Sequence, residues 1–157
     1  MEKMIDIHVR KPFVKYVSKK EIRNSLIQVI SSLFPEKKFE FGVLICSDAE
    51  IKKLNQQYRQ VNSATDVLSF QSEEVIPYLE MDYLGDIVIS YETAFVQAQK
   101  IGHSVSSEIL ILLIHGLLHL LGFDHDTEKN KLIMWQKQYE ALKILDLQVK
   151  GFSGEDD

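Results

Sequence analysis

The chain has 157 residues, about the length of one average domain, with 45% hydrophobic and 26% charged residues, seven glycines and three prolines. That composition excludes collagenous and disordered classes, and a single cysteine, Cys46, excludes a disulfide-built secreted scaffold. A net charge of −5 favours solubility and, taken whole, argues against nucleic acid as a partner, yet residues 1–40 hold nine Lys/Arg against five Asp/Glu, so the N-terminal part is basic.

From Met4 to Val9, Ile5, Ile7 and Val9 alternate with polar neighbours, the period of a half-buried strand with His8 facing outward. The acidic, alternating start resembles neither a signal nor a transit peptide, so the expected compartment is the cytoplasm. Over residues 19–34, Ile22, Leu26, Val29, Ile30 and Leu33 recur at helical spacing and predict a helix that stops before Pro35. Phe39, Phe41, Val43 and Ile45 alternate in a second strand. Ser47 and Glu50 then have the spacing of a capping box, which predicts a helix to about Tyr58 with Ile51, Leu54 and Tyr58 inward. Short strands follow over residues 67–70 and 84–89, separated by an acidic loop containing Pro77. Ser90 is placed to cap a helix that carries Ala94, Phe95, Ala98 and Ile101 and stops at Gly102. Ser106 and Ser107 open an apolar helix that ends at Gly122. A last helix, from about Glu128 to Leu145, presents Leu132, Trp135, Tyr139, Leu142 and Leu145.

The apolar stretch beginning at Ile109 is interrupted by His115, Gly116 and His119 and is shorter than the ~20 residues of a membrane span, so it reads as a buried helix. The expected fold class is α/β (α+β): one small mixed sheet of about four strands covered by about five helices, in a single domain over residues 1–150 with an acidic tail at 151–157.

Three of the five histidines lie in His115-Gly116-Leu117-Leu118-His119-Leu120-Leu121-Gly122-Phe123-Asp124-His125. Residues four apart on a helix share a face, so His115 and His119 are placed to grasp one cation, and Gly122 lets the chain turn and bring His125 back to them. Three neutral imidazoles with a fourth position open are the ligand set of a catalytic zinc, one ion per chain. Two imidazoles in an apolar helix without such a partner would be costly to bury. The spacing is that of the metzincin peptidases, but the residue after the first ligand is Gly116 where those enzymes carry a glutamate base, which argues against peptide hydrolysis.

The segment resembles the YbeY endoribonucleases, bacterial rRNA maturation factors with the signature His-Gly-x-Leu-His-Leu-x-Gly-[Tyr/Phe]-Asp-His. The likeness extends to Asn55-Gln56-Gln57-Tyr58-Arg59, Thr65-Asp66-Val67-Leu68-Ser69-Phe70, Leu84-Gly85-Asp86-Ile87 and Glu108, covering roughly residues 43–135. It implies a zinc-dependent, single-strand-selective endoribonuclease acting in 16S rRNA 3′-end maturation and ribosome quality control. The implied partners are single-stranded RNA, the 16S precursor, the small ribosomal subunit and an exoribonuclease, with no membrane. The resemblance assigns the metal to His115, His119 and His125 and a functional role to Arg59, whose forked donors suit a phosphate. His115 and Arg59 are thus the expected catalytic residues.

Asp124 is a candidate to orient an imidazole, or else a turn residue. The attacking group is open between zinc hydroxide and the RNA 2′-hydroxyl. Asp66 reads as structural, Asp86 as a turn cap or cleft carboxylate, His103 as exposed, Cys46 as a small buried hydrophobe, and Met134 and Trp135 as core or cleft wall. Lys11, Lys15, Lys19, Lys20 and Arg23 are candidate guides for an RNA backbone. Two readings compete with the ribonuclease: an assembly or RNA-binding factor whose zinc organises the fold, and a zinc hydrolase of peptides or small molecules.

Overall fold

The computed structural model describes residues 5–72 and 82–147. The Pro77 loop, Met4 and the acidic tail lie outside the described residues. The elements are β1 (Ile5–Val9), a 3-10 turn (Lys11–Tyr16), α1 (Lys19–Leu33), β2 (Phe39–Cys46), α2 (Asp48–Arg59), β3 (Val67–Gln71), β4 (Asp82–Ser90), α3 (Tyr91–Ile101), α4 (Val105–Leu120) and α5 (Glu128–Ile144).

The four strands form one mixed sheet in the order β1-β2-β4-β3, with β1, β2 and β4 parallel and β3 antiparallel to β4. Alternation decides the faces. Ile5, Ile7, Phe41, Val43, Ile45, Ile87 and Ile89 point to one side and pack with α1 and α4 in the main core. On the other face, Cys46, Leu68 and Val88 pack against Ile51 of α2. Helix α4 is buried along nearly its whole length because it lies between the sheet and a second cluster with α1 and α5, made of residues such as Val29, Ile114, Leu118, Met134 and Leu142. No single described helix is long and apolar enough to cross a membrane.

The predicted caps form. Ser47 Oγ accepts from the Glu50 N–H at 3.1 Å and Ser90 Oγ from the Thr93 N–H at 3.2 Å, and Gly102 ends α3 with φ 91°. The Glu50 carboxylate, expected to complete the box, instead takes a two-pronged bond from Arg10, at 3.0 and 2.8 Å. Helix α4 starts earlier than Ser106 and Ser107 suggest, because Ser104 is the residue that caps it, accepting from the Ser107 N–H at 3.1 Å.

Three helix faces differ from the expected ones. Tyr58, in the last turn of α2, is 59% exposed, its ring meeting Phe70 of β3 edge-on and leaving the rest in water. In α5 the buried residues are Met134, Gln138, Ala141 and Leu142, whereas Leu132 and Tyr139 are exposed. The inward face is rotated because it carries a polar residue, Gln138, with a partner in the core. Phe95 is likewise partly outside, at 40% exposure, while Ala94 and Ala98 form the buried stripe of α3.

Candidate metal centre

His115 and His119 stand one turn apart near the C-terminal end of α4, and the turn that follows returns His125 to them. Gly122, at φ 98°, allows a Schellman ending: its N–H donates to the His119 carbonyl and the Phe123 N–H to the Leu118 carbonyl, both at 3.0 Å. Phe123 then packs against Phe34, with ring centroids 6.3 Å apart, which pins the loop bearing His125. Gln71 of β3 adds a bond to the His119 carbonyl at 3.0 Å, tying the helix end to the sheet edge.

One ligand atom from each of the three imidazoles lies within 4.8 Å of the others. His119 Nε2 and His115 Nε2 are 3.1 Å apart, close to the ~3.3 Å between two tetrahedral ligands at a metal–nitrogen length of ~2.0–2.1 Å. His125 Nε2 is buried without a hydrogen-bond partner among the described residues, an arrangement that costs free energy unless the nitrogen has another use. The residues therefore fit a bound cation.

Gln138 is the site residue that sequence reasoning missed. Only 4% exposed, it accepts a hydrogen bond from His115 Nδ1 at 2.6 Å, which places the proton on Nδ1 and leaves the Nε2 lone pair facing His119. Asp124, by contrast, accepts from the His125 backbone N–H at 2.7 Å, a turn bond, and its charge raises the proton affinity of His119. Gln138→Leu is expected to weaken metal binding by about 10–100-fold, the usual cost of removing an outer partner, measured by competition with a chromophoric chelator.

Burial is the largest influence on His115 and pushes its imidazole down to about 4, and burial followed by the His125 charge lowers His119. Both are neutral at pH 7, the form a metal takes. The unfolded chain protonates His115 near pH 6.5 whereas the folded chain waits until about 4. This group's share of stability is therefore complete above 6.5 and lost as pH falls toward 4, on the order of 3 kcal/mol. Melting of metal-stripped protein across that window is expected to show a falling Tm, with a smaller fall in His115→Gln.

The histidines open into a cleft of about 550 Å³ whose other walls include Asn55, Arg59, Thr65, Ser69 and Gln71. Arg59 ends α2, donates to the Ser69 carbonyl and lies over the Phe70 ring with its guanidinium carbon 5.4 Å from the centroid. Asn55 is buried and donates to the Ser63 carbonyl at 3.0 Å, holding the loop between α2 and β3. Gly116 faces the sheet. A Cβ there would lie 2.7 Å from Ile87 Cγ2 and 3.0 Å from Ser69 Oγ, so the position that holds a carboxylate in metzincins has no room here for a side chain.

The remaining candidates take ordinary places. Asp66 is structural, accepting from the Val67 N–H at 2.8 Å and from Gln97 at 3.2 Å. Asp86 accepts from the Tyr83 hydroxyl at 2.6 Å, outside the cleft. Cys46 is fully buried, which pushes its thiol up to about 12. His103 is not exposed as expected: its ring is 2.7 Å from Glu108 Oε1, because a carboxylate in the first turn of a buried helix needs a partner. Met134 is core, and Trp135, half-buried, lies under Lys131 at 4.8 Å. Of the N-terminal cations, Lys11, Lys15, Lys19 and Lys20 are exposed, while Arg23 turns back to the Ile5 carbonyl at 3.1 Å.

These features define a class: an α/β domain with a tri-histidine centre of the open kind found in metal-dependent hydrolases. Residues 6–146 match the family model described as Endoribonuclease YbeY, and the chain belongs to that family, whose name denotes an RNA-cleaving hydrolase. The match reaches β1 and α1, where the sequence showed no recognised motif. Relatives named Endoribonuclease YbeY include one from Caldicellulosiruptor bescii, 40% identical over 137 residues, covering 82% of this chain and 87% of the relative. Another, from Roseiflexus sp., is 38% identical over 152 residues and covers 93% of this chain and 95% of the relative. The solution structure of TM1509 from Thermotoga maritima superposes with a TM-score of 0.63 at 28% identity, over 90% of this chain and 89% of that one.

Proposed function

We propose that this chain is a zinc-dependent endoribonuclease that cuts single-stranded RNA in the cytoplasm, with the 3′ end of the 16S rRNA precursor as its substrate and the small ribosomal subunit and an exoribonuclease as partners in rRNA maturation and ribosome quality control. The observation that carries the reading is the convergence of three imidazoles, one with an otherwise unused buried nitrogen, in an open cleft that Arg59 borders, within a chain of this family.

Cleaving a phosphodiester builds negative charge on the nonbridging oxygens, so the site must place positive charge there and accept a proton from the attacking group. Zinc, when bound, supplies Lewis acidity toward a phosphate oxygen and acidifies water near neutral pH. His115, His119 and His125 would hold the ion, and Gln138 keeps the first of them in the tautomer whose Nε2 can bind it. Arg59 spends one N–H on the Ser69 carbonyl, is braced by Phe70, and has donors left for a phosphate. Asp124 carries the one carboxylate among the described residues lining the cleft, which supports it as the acceptor of the nucleophile's proton.

The test is cleavage of a 16S 3′-precursor fragment by zinc-loaded and metal-stripped protein from one preparation. Cutting that disappears with the metal and returns with added zinc supports the reading. Cutting that ignores the metal points to a contaminating nuclease, and no cutting by well-folded loaded protein favours an assembly factor with structural zinc.

A further inference from the structure

A second groove, of about 730 Å³, runs along the face of the sheet that α2 only partly covers, and it meets the metal cleft at Gln71, which lines both. The ridge between the two is made by Tyr58 and Arg59 of α2 and Phe70 of β3. Tyr58 leaves 59% of its surface in water. It is nevertheless held in place. Its ring meets Phe70 edge-on at 5.5 Å, Arg59 covers part of the same Phe70, and Gln60 at φ 58° ends the helix directly after them.

Resting on the ribonuclease reading, we propose that Tyr58 is a stacking platform for one unpaired base of the RNA strand whose phosphate Arg59 holds. The residues are adjacent in sequence, and each suits a different part of one nucleotide: a forked cation for the phosphate and an aromatic face for the base. The rest of the groove carries Asp6 beside His8, Asp86, and Arg10, whose guanidinium is already engaged by Glu50, so the two aspartates repel phosphate and the cation there is occupied. The strand therefore keeps its backbone on the Arg59 side and turns only a base over the ridge. A base locked in a duplex is not free to do this, so Tyr58 favours single strands without reading sequence.

The experiment measures equilibrium binding of zinc-loaded wild type, Tyr58→Ala, Tyr58→Trp and Tyr58→Leu to a fluorescent single-stranded RNA with phosphorothioate linkages, which slow cleavage, and to a hairpin of similar length. Tyr58 is exposed, so the variants should fold, and thermal melting checks this. Tyr58→Ala is expected to weaken single-strand binding about tenfold and hairpin binding much less, with Trp restoring affinity and Leu failing to. Scanning an abasic position along the strand should find one site that costs wild type a similar factor and costs Tyr58→Ala almost nothing. Wild-type affinity in Tyr58→Ala, full rescue by Leu, or equal losses for strand and hairpin each overturn the inference while leaving the ribonuclease reading intact. A wild type that neither binds nor cuts RNA overturns both.

Discussion

His119→Ala is expected to release the metal and to reduce RNA cleavage by about a thousandfold or more, because several kcal/mol of charge stabilisation go with the ion. This position separates chemistry from folding better than His115. His115 is 2% exposed and bonded to Gln138, so truncating it opens a hole in the core and strands a buried amide. His119 is half-buried at the helix end, where the Schellman bonds are made by backbone and survive the change. Metal content by atomic emission, circular dichroism and cleavage of a single-stranded substrate would be read on one sample. A folded, metal-free variant that cuts as well as wild type would remove the metal from the reaction, and a variant that unfolds would make the ion structural.

The three histidines were legible because their geometry is local: a four-residue step on one helix, then a glycine that turns the chain. The same is true of the strands and capped helix starts, where period and cap lie within a few residues of each other. What could not be seen depends on contacts between distant elements. Gln138 belongs to a helix whose apolar residues suggest a different inward face, and only the approach of α5 to α4 reveals that a polar side chain is wanted in the core, opposite His115. Tyr58 fits an inward helical period, but it meets Phe70 of β3 only edge-on and stays 59% exposed. His103 and Glu108 find each other across a tight turn that no periodicity describes. At Gly116 the sequence shows that a glutamate is missing. The structure adds the reason, since Ile87 and Ser69 press against the helix there.

Arg59→Ala is expected to lower kcat by about 10²–10³ while the metal remains bound, the usual loss when one preorganised donor to a developing oxyanion is removed. The side chain is exposed, so its effect on stability should be small, limited to a bond with the Ser69 carbonyl and the contact with Phe70. Arg59→Lys keeps the charge but loses the planar fork, and so should recover only part of the rate. The division between kcat and KM tells what the arginine does. A guanidinium that merely attracts RNA raises KM, and added salt should erase much of its effect. One that grips the phosphate as charge accumulates lowers kcat and keeps most of its effect in salt, because the bond forms at a fixed geometry in a partly enclosed cleft. The bracing by Phe70 and Ser69 favours the second outcome: the guanidinium is already oriented before substrate arrives, so little free energy is spent on ordering it in the transition state.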